Sequence, residues 1–271
     1  MLAIDPTARI APSAVIGADV EVGPYCVIGP NVAIGGKCKL VAHVHIAGHT
    51  TIGSECQIYP FTSLGTAPQS VHYRGGPTRL VIGERCLIRE SVTMNIGTED
   101  GGGITKVGSD CFLMTGAHVG HDCQVGKNVI LANNAVLGGH CHVGDHVFMG
   151  GHCAAHQFTR IGESAMISGY TALSDDVIPF GFVLHAIGRL VGVNIIGMRR
   201  RGVSKDNIRA VQQAYALLFD GAGEFAPRID KVEAQFGHVT EVARIVAFLR
   251  VKGRRPIMLN KVRGRRVETG E

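Results

Sequence analysis

A chain of 271 residues, 45% of them hydrophobic, can bury a sizeable core as one large domain or two smaller ones, which excludes disorder as its default. It has no basic N-terminal region followed by an apolar run and no segment long enough to span a bilayer, so it reads as a cytoplasmic protein without integral membrane association. The net charge of +5 is unevenly placed: residues 1–198 hold 11 Lys and Arg against 14 Asp and Glu, and residues 199–271 hold 16 against 8. That basic C-terminal part would attract an acidic protein, a phosphorylated ligand, nucleic acid or an anionic membrane, and charge alone does not choose among them.

From the start of the chain, aliphatic residues fall at every sixth position: Ile4, Ile10, Ile16, Val22, Ile28, Ile34, Leu40, Ile46, Ile52, Ile58 and Leu64. Glycine often follows, as at Gly17, Gly23, Gly29 and Gly35, which suits a short strand and a corner in every hexad. The beat breaks at residues 66–81, returns at Ile82, Ile88 and Met94, and is interrupted again by Gly97 to Gly103. It resumes one residue out of phase at Val107 and runs through Val119, Val125, Leu137 and Ala155 to Leu173. Three such strands close one triangular coil of about 18 residues, and coils stacking at about 4.8 Å give a prism on the order of 45 Å long. The expected organisation is a hexapeptide-repeat β-helix over residues 1–190, with external loops at about 66–81 and 95–106, followed by a basic helical domain over 191–271.

All eight cysteines lie two residues before a beat position, from Cys26 beside Ile28 to Cys153 beside Ala155. Residues two apart on a strand face the same way, so this slot points into the prism and calls for a small apolar side chain. Core packing is therefore expected rather than disulfides or metal ligation, since there is no Cys-x-x-Cys pair and no secretion signal. Beyond Leu173 the pattern changes type. Ser204 can cap a helix with an apolar face of Ile208, Val211, Tyr215, Leu218 and Phe219, ended by Gly221. A second helix carries Ile229, Val232 and Phe236 up to Gly237, and Thr240 can cap a third with Val242, Ile245, Val246 and Leu249. The tail from Arg254 and Arg255 to Glu271, with Arg263, Arg265 and Arg266, reads as mobile. A bare prism presents flat faces that helices at one end cannot cover, so self-association is expected.

Seven of the 13 histidines fall between His118 and His156. Projected by one coil each, His121, His140 and His156 line one edge, while His142, His146 and His152 read as outward residues of a polar face. An imidazole can take a proton from a hydroxyl or amine at cellular pH, and a carboxylate such as Asp122 can orient it. One coil on, the backbone N–H of a glycine in Leu137-Gly138-Gly139-His140 can approach a developing oxyanion, which points to acyl transfer.

Several motifs carry a resemblance that covers nearly the whole chain: Pro68-Gln69-Ser70-Val71-His72-Tyr73-Arg74-Gly75, Ile88-Arg89-Glu90-Ser91-Val92-Thr93, Gly101-Gly102-Gly103, Ala117-His118-Val119-Gly120-His121-Asp122-Cys123, Ile130-Leu131-Ala132-Asn133-Asn134, His156-Gln157-Phe158, and Gly192-Val193-Asn194 to Arg199-Arg200-Arg201-Gly202. Together they resemble the UDP-N-acetylglucosamine O-acyltransferase family, which opens lipid A synthesis. The resemblance implies a left-handed coil, although the general rule for parallel crossovers is right-handed, and a homotrimer. It implies that His121 is the general base, with Asp122 beside it, and that the Gly139 N–H faces the thioester oxygen. It further implies that His118, His140, His156 and Gln157 line the substrate cleft between subunits, that Asn194, Arg200 and Arg201 hold nucleotide or donor, and that Gln69 contacts the sugar. Gly169 matches a position that limits acyl length, and neighbouring Met166 can close the room a glycine leaves. The donor would be a 3-hydroxyacyl chain on acyl carrier protein, an acidic partner suited to the basic C-terminal part, with no cofactor, metal or nucleic acid.

The chain departs from this pattern in its first loop. Where family members usually carry Asp and then Lys, it has Ser70 and His72, and Ile196 stands where an acidic residue is common. The acceptor is therefore either UDP-N-acetylglucosamine or its 3-amino analogue, acylated through an amide. Two other classes compete. A metal-dependent hydratase of the same fold would also place histidines at subunit edges, and a non-catalytic anion-binding scaffold would use Arg199 to Arg201.

Overall fold

The computed structural model describes residues 3–184, 186–220 and 224–260. Short strands recur at the beat positions and stack into sheets of eleven, nine and eight strands, the three faces of a prism. We call them face A, beginning with Ala3–Ile4, face B, beginning with Arg9–Ile10, and face C, beginning with Val15–Ile16. The chain visits A, B and C in turn, so strand neighbours are one coil apart, as in Ile4 against Val22 and Ile10 against Ile28. The beat residues point inward, and Ile28, Leu40, Ile46, Ile52, Ile58 and Leu64 are almost wholly buried. All eight cysteines are free and buried in the slot beside them, as small apolar residues.

At most prism corners, the third residue after a beat residue takes a left-handed backbone. Asp122 and His140 both do so at φ 61. Asp, Asn and His tolerate this conformation better than most side chains, so the corner itself admits the residue types that can do chemistry.

Both excursions leave at the edge between faces B and C. The first separates the face-B strand Ser63–Thr66 from the face-C strand Arg79–Ile82, and the second separates Thr93–Asn95 from Ile104–Val107. Ile52 pairs with Ile82 and Ile82 with Val107, steps of 30 and 25 residues where an uninterrupted coil takes 18. The first excursion thus adds two whole hexads and keeps the beat in phase. The second adds one hexad and one residue, which is the origin of the phase shift.

The boundary expected at residue 190 falls inside the strand Arg189–Val193, which pairs antiparallel with Gly181–Leu184, so the change to helices comes at Asn194. A six-residue helix absent from the sequence reading follows, α1 (Ile195–Arg200). Its N-terminus is capped by Asn194, whose Oδ1 accepts from Gly197 N at 2.9 Å. In α2 (Lys205–Phe219) Ser204 is the cap, accepting from Asn207 N at 3.1 Å, and the helix buries Ile208, Val211, Leu218 and Phe219. Gly221 lies outside the described residues. Ile229 and Val232 are the buried residues of α3 (Phe225–Phe236), which ends at Gly237. The third expected helix, α4 (Thr240–Arg250), starts at its supposed cap: Val239 is the N-cap, no side chain bonds there, and Thr240 is the first helical residue.

The expected mobility of the tail needs correction from its first residues. Residues 254–260 return along the prism, with Asp176 N donating to Pro256 O and Met258 N to Asp176 O, both at 2.8 Å. Arg254 lies over the Phe158 ring at 4.3 Å, and Arg255 Nε donates to Gln157 O at 2.9 Å. Arg263, Arg265 and Arg266 lie outside the described residues.

Candidate active site

The B–C edge gathers most of the singled-out residues. His121 and Asp122 form the corner after the face-B strand His118–Val119, and Gly139 and His140 form the corner one coil on. His121 Nδ1 donates to Asp122 Oδ2 at 2.8 Å, and both side chains are buried. With Nδ1 carrying the proton, Nε2 is left as the acceptor. The ring lies against Gly139, where a Cβ would come within 2.6 Å of both Cε1 and Nε2. The Gly139 N–H donates no hydrogen bond among the described residues.

Asp122 is held from the other side by the second excursion. Its Oδ1 accepts from Thr98 N at 2.9 Å and its Oδ2 from Thr98 Oγ1 at 2.6 Å, while its own N–H donates to Thr105 Oγ1 at 2.8 Å. The loop backbone presses on the carboxylate so closely that a Cβ at Gly101 would lie 2.1 Å from its carbon. The first excursion braces the second: Thr78 Oγ1 donates to Gly97 O at 2.5 Å, and Gly76 N to Glu99 Oε1 at 2.6 Å.

His140 meets His121 edge-on, with centroids 5.0 Å apart, and stacks on Phe158 at 4.5 Å. Burial pushes its pKa below the usual histidine value, more than the nearby Asp122 carboxylate raises it. His118 shares a 2.7 Å hydrogen bond between Nδ1 and Thr93 Oγ1, and burial, with His121 next, lowers its pKa too. Both therefore stand neutral near pH 7 and can donate and accept hydrogen bonds without adding charge.

His121, Asp122 and His140 offer ligand atoms within 4.8 Å of one another, close enough for one metal ion. Yet Nδ1 of His121 is spent on Asp122, and the carboxylate accepts from Thr98 twice and from His121. His121 and Asp122 thus form a hydrogen-bonded dyad.

The remaining candidates are distributed differently. His156 and Gln157 are exposed on the same edge; the His156 ring contacts Arg255 and does not stack with His121 or His140. Gln69 and His72 are exposed on the first excursion, where Ser70 Oγ accepts from His72 N at 3.3 Å. Met166, Asn194, Arg200 and Arg201 line a cavity of about 730 Å³ on the outside of face A, walled also by Phe148 and Phe182. Asn194 is heavily engaged there: besides capping α1, its Nδ2 donates to Ser164 O at 3.0 Å. Gly169, three residues past Met166, is exposed at the next corner. Face A is opposite the B–C edge. With sides of about six residues at about 3.3 Å each, the prism puts roughly 15 Å of packed core between the two groups.

Thr98, Thr105 and Phe158 were missed by the sequence reading. The glycine run was the visible signal for the first two, and the 18-residue step from His140 for the third.

Comparison with known proteins agrees with this architecture. Residues 176–258 match the model for domain 2 of UDP-N-acetylglucosamine O-acyltransferases, and residues 104–139 match the bacterial transferase hexapeptide model. The acyl-[acyl-carrier-protein]--UDP-N-acetylglucosamine O-acyltransferase of Azorhizobium caulinodans is 52% identical over 254 residues, 94% of each chain. LpxA from Acinetobacter baumannii superposes with a TM-score of 0.91 at 40% identity, covering 94% of this chain and 99% of that one. The Francisella novicida UDP-N-acetylglucosamine acyltransferase gives the same TM-score at 30% identity, over 96% and 94%. A coil of opposite hand could not superpose in this way, and the fold is the left-handed parallel β-helix that the resemblance implied. With that identity extending over almost the full length of both chains, this protein belongs to the UDP-N-acetylglucosamine O-acyltransferase family.

Proposed function

We propose that this protein transfers a 3-hydroxyacyl chain from acyl carrier protein to the 3-hydroxyl of UDP-N-acetylglucosamine, in the cytoplasm, as the first step of lipid A synthesis. The observation that carries the chemistry is the buried His121–Asp122 pair with Gly139, whose N–H is unpaired among the described residues, packed against the His121 ring. Nε2 of His121 takes the proton of the sugar hydroxyl as its oxygen attacks the thioester carbon. The carbonyl oxygen, now an oxyanion, accepts from Gly139 N–H. Collapse of the tetrahedral intermediate expels the carrier's thiolate, which recovers the proton from Nε2. Asp122 holds the ring through Nδ1 and stabilises the imidazolium as it forms.

One subunit does not bring the cavity on face A to this edge. A homotrimer in which face A of one subunit abuts the B–C edge of the next would place Asn194, Arg200 and Arg201 over the same substrate as His121, and would cover the flat faces. No helix among the described residues is long and apolar enough to cross a membrane, consistent with a soluble acceptor and a carrier-borne donor. A second reading, in which the acceptor is the 3-amino analogue, is favoured by the first excursion: Ser70 offers a neutral side chain already turned onto His72 N. An acyl-transfer assay offering both sugar nucleotides, with carriers bearing several chain lengths, tests the reaction and separates the two acceptors. No transfer to either would overturn it.

A further inference from the structure

We propose that Thr98, at the start of the glycine-rich excursion, is a positioning residue for acyl transfer, fixing the Asp122 carboxylate on His121 and away from His140. The inference rests on the reading of His121 as the base.

The carboxylate has a choice of imidazoles. Its Oδ2 lies 2.8 Å from Nδ1 of His121 and 3.8 Å from Nδ1 of His140, and a modest rotation of the side chain would exchange them. Nothing within the corner itself forbids this. The Asp122 N–H is tied to Thr105, which anchors the backbone but leaves the carboxylate plane free. Thr98 removes that freedom by gripping both oxygens, the N–H holding Oδ1 and the hydroxyl Oδ2. A two-point grip fixes a plane as well as a distance.

The hydroxyl is itself directed. Thr98 Oγ1 accepts from Gly101 N at 3.2 Å, so its own proton is left for Asp122, and the three groups polarise one another in one sense. Gly103 N donates to Thr98 O at 2.9 Å, closing the turn. Gly101 then covers the carboxylate at a distance no side chain would permit, which keeps water from offering the oxygens another partner. Seen this way, the second excursion supplies the base with a rigid anion that the bare repeat cannot provide.

In the acyl-transfer assay, Thr98→Val should lower kcat by roughly 10- to 100-fold, the cost of misplacing a catalytic group by a fraction of an ångström to an ångström. KM for both substrates should stay within about 2-fold, since the residue touches neither. Thr98→Ser keeps both donors and should restore kcat. In an Asp122→Asn background, Thr98→Val should cost little more, because it acts through that carboxylate. Gly101→Ala, which displaces the carboxylate without removing a donor, should reproduce the loss of kcat and serves where Thr98→Val fails to fold. Normal kcat in a folded Thr98→Val or Gly101→Ala protein would overturn the proposal. So would full multiplication of the Thr98 and Asp122 losses, or failure of serine to rescue. One arm needs no substrate: the downfield proton signal of the His121 Nδ1–H bond should be present in the wild type and shifted or lost in both variants. If the wild type transfers no acyl group, the functional reading fails and this signal alone decides the role of Thr98.

Discussion

The A–B corners at His43 and His152 and the B–C corners at Asp122 and His140 share one left-handed backbone, yet the two edges are furnished differently. On the A–B edge His43 lies between Tyr25 and Phe61, with centroids 5.0 and 5.2 Å away, and His152 stacks on Tyr170 at 4.9 Å. On the B–C edge His140 stacks on Phe158 in the same manner. A histidine in this corner is by default a flat ring that continues an aromatic column. What separates the B–C edge is its surroundings: two excursions leave there, one of them fixes a carboxylate, and a glycine one coil on leaves room for the His121 ring. At these corners the repeat offers the same backbone on both edges, and it is the departures from the repeat that give the B–C edge its fixed carboxylate.

The most severe test of that contrast pairs two substitutions. His121→Ala should lower kcat by roughly 10²- to 10⁴-fold, the range for losing a positioned general base. His43→Ala on the other edge should leave transfer within about 2-fold while costing some thermal stability through its two ring contacts. Near-normal turnover in a folded His121→Ala protein would mean that the base lies elsewhere, and a comparable loss from His43→Ala would erase the difference between the edges.

A second contrast is electrostatic. The prism is acidic and the C-terminal part basic, and Arg199, Arg200 and Arg201 are exposed around the C-terminal end of α1. If the carrier docks there, Arg199→Glu should raise KM for acyl carrier protein by roughly 3- to 10-fold with little change in kcat, and added salt should raise it for the wild type. A carrier KM indifferent to both changes would move docking to another surface.

The two edges were not equally legible in the amino-acid sequence, for physical reasons. The hexad reports inward side chains, so the core positions, the cysteine slot and both interruptions are visible directly. His121 beside Asp122 is local, and Gly139 follows from adding one coil. Thr98 is different: its loop has no period, and its partner is fixed only by where the chain re-enters the prism. α1 is too short to show a helical period, and its cap, Asn194, is engaged by Ser164 and Gly197. The strap at residues 254–260 is basic and looks solvated. Its order comes from Asp176 and Phe158, contacts that no local pattern announces.

A gentler way to sharpen the comparison uses pH. His118 and His140 have pKa values lowered first by burial, whereas in the unfolded chain each protonates near its ordinary 6.5. Below that value the unfolded state binds more protons than the folded one. Stability is therefore complete above about pH 6.5 and is lost as pH falls through the depressed folded values. Melting temperature should drop from pH 7 to pH 5, and less so in a His118→Gln, His140→Gln double variant. Equal slopes in the two proteins would remove the B–C histidines from the acid response.

The smallest effect concerns Ser70 and His72, which share the B–C edge with the dyad but not its burial. Ser70 is half-buried and His72 exposed, and the one hydrogen bond between them runs from backbone N–H to hydroxyl. A carboxylate at position 70 would accept from sugar hydroxyls and attract an ammonium, whereas serine donates and accepts without charge. A lysine at 72 would hold a permanent cation near the nucleotide phosphates, whereas an imidazole offers ring nitrogens for hydrogen bonding. The native pair thus commits the loop to neither acceptor. Because these groups face water, restoring the pair by Ser70→Asp with His72→Lys should gain only about 0.5 to 1.5 kcal/mol, the worth of an ordinary net hydrogen bond. That corresponds to a change of roughly 2- to 10-fold in the ratio of kcat/KM for UDP-N-acetylglucosamine over its 3-amino analogue. The direction follows from the competition between substrates: the restored carboxylate gains a hydroxyl partner in one acceptor, and in the other it meets an amine that must be neutral to attack, so binding it as ammonium is unproductive. An unchanged ratio would show that the first excursion braces the second and does nothing to choose the sugar.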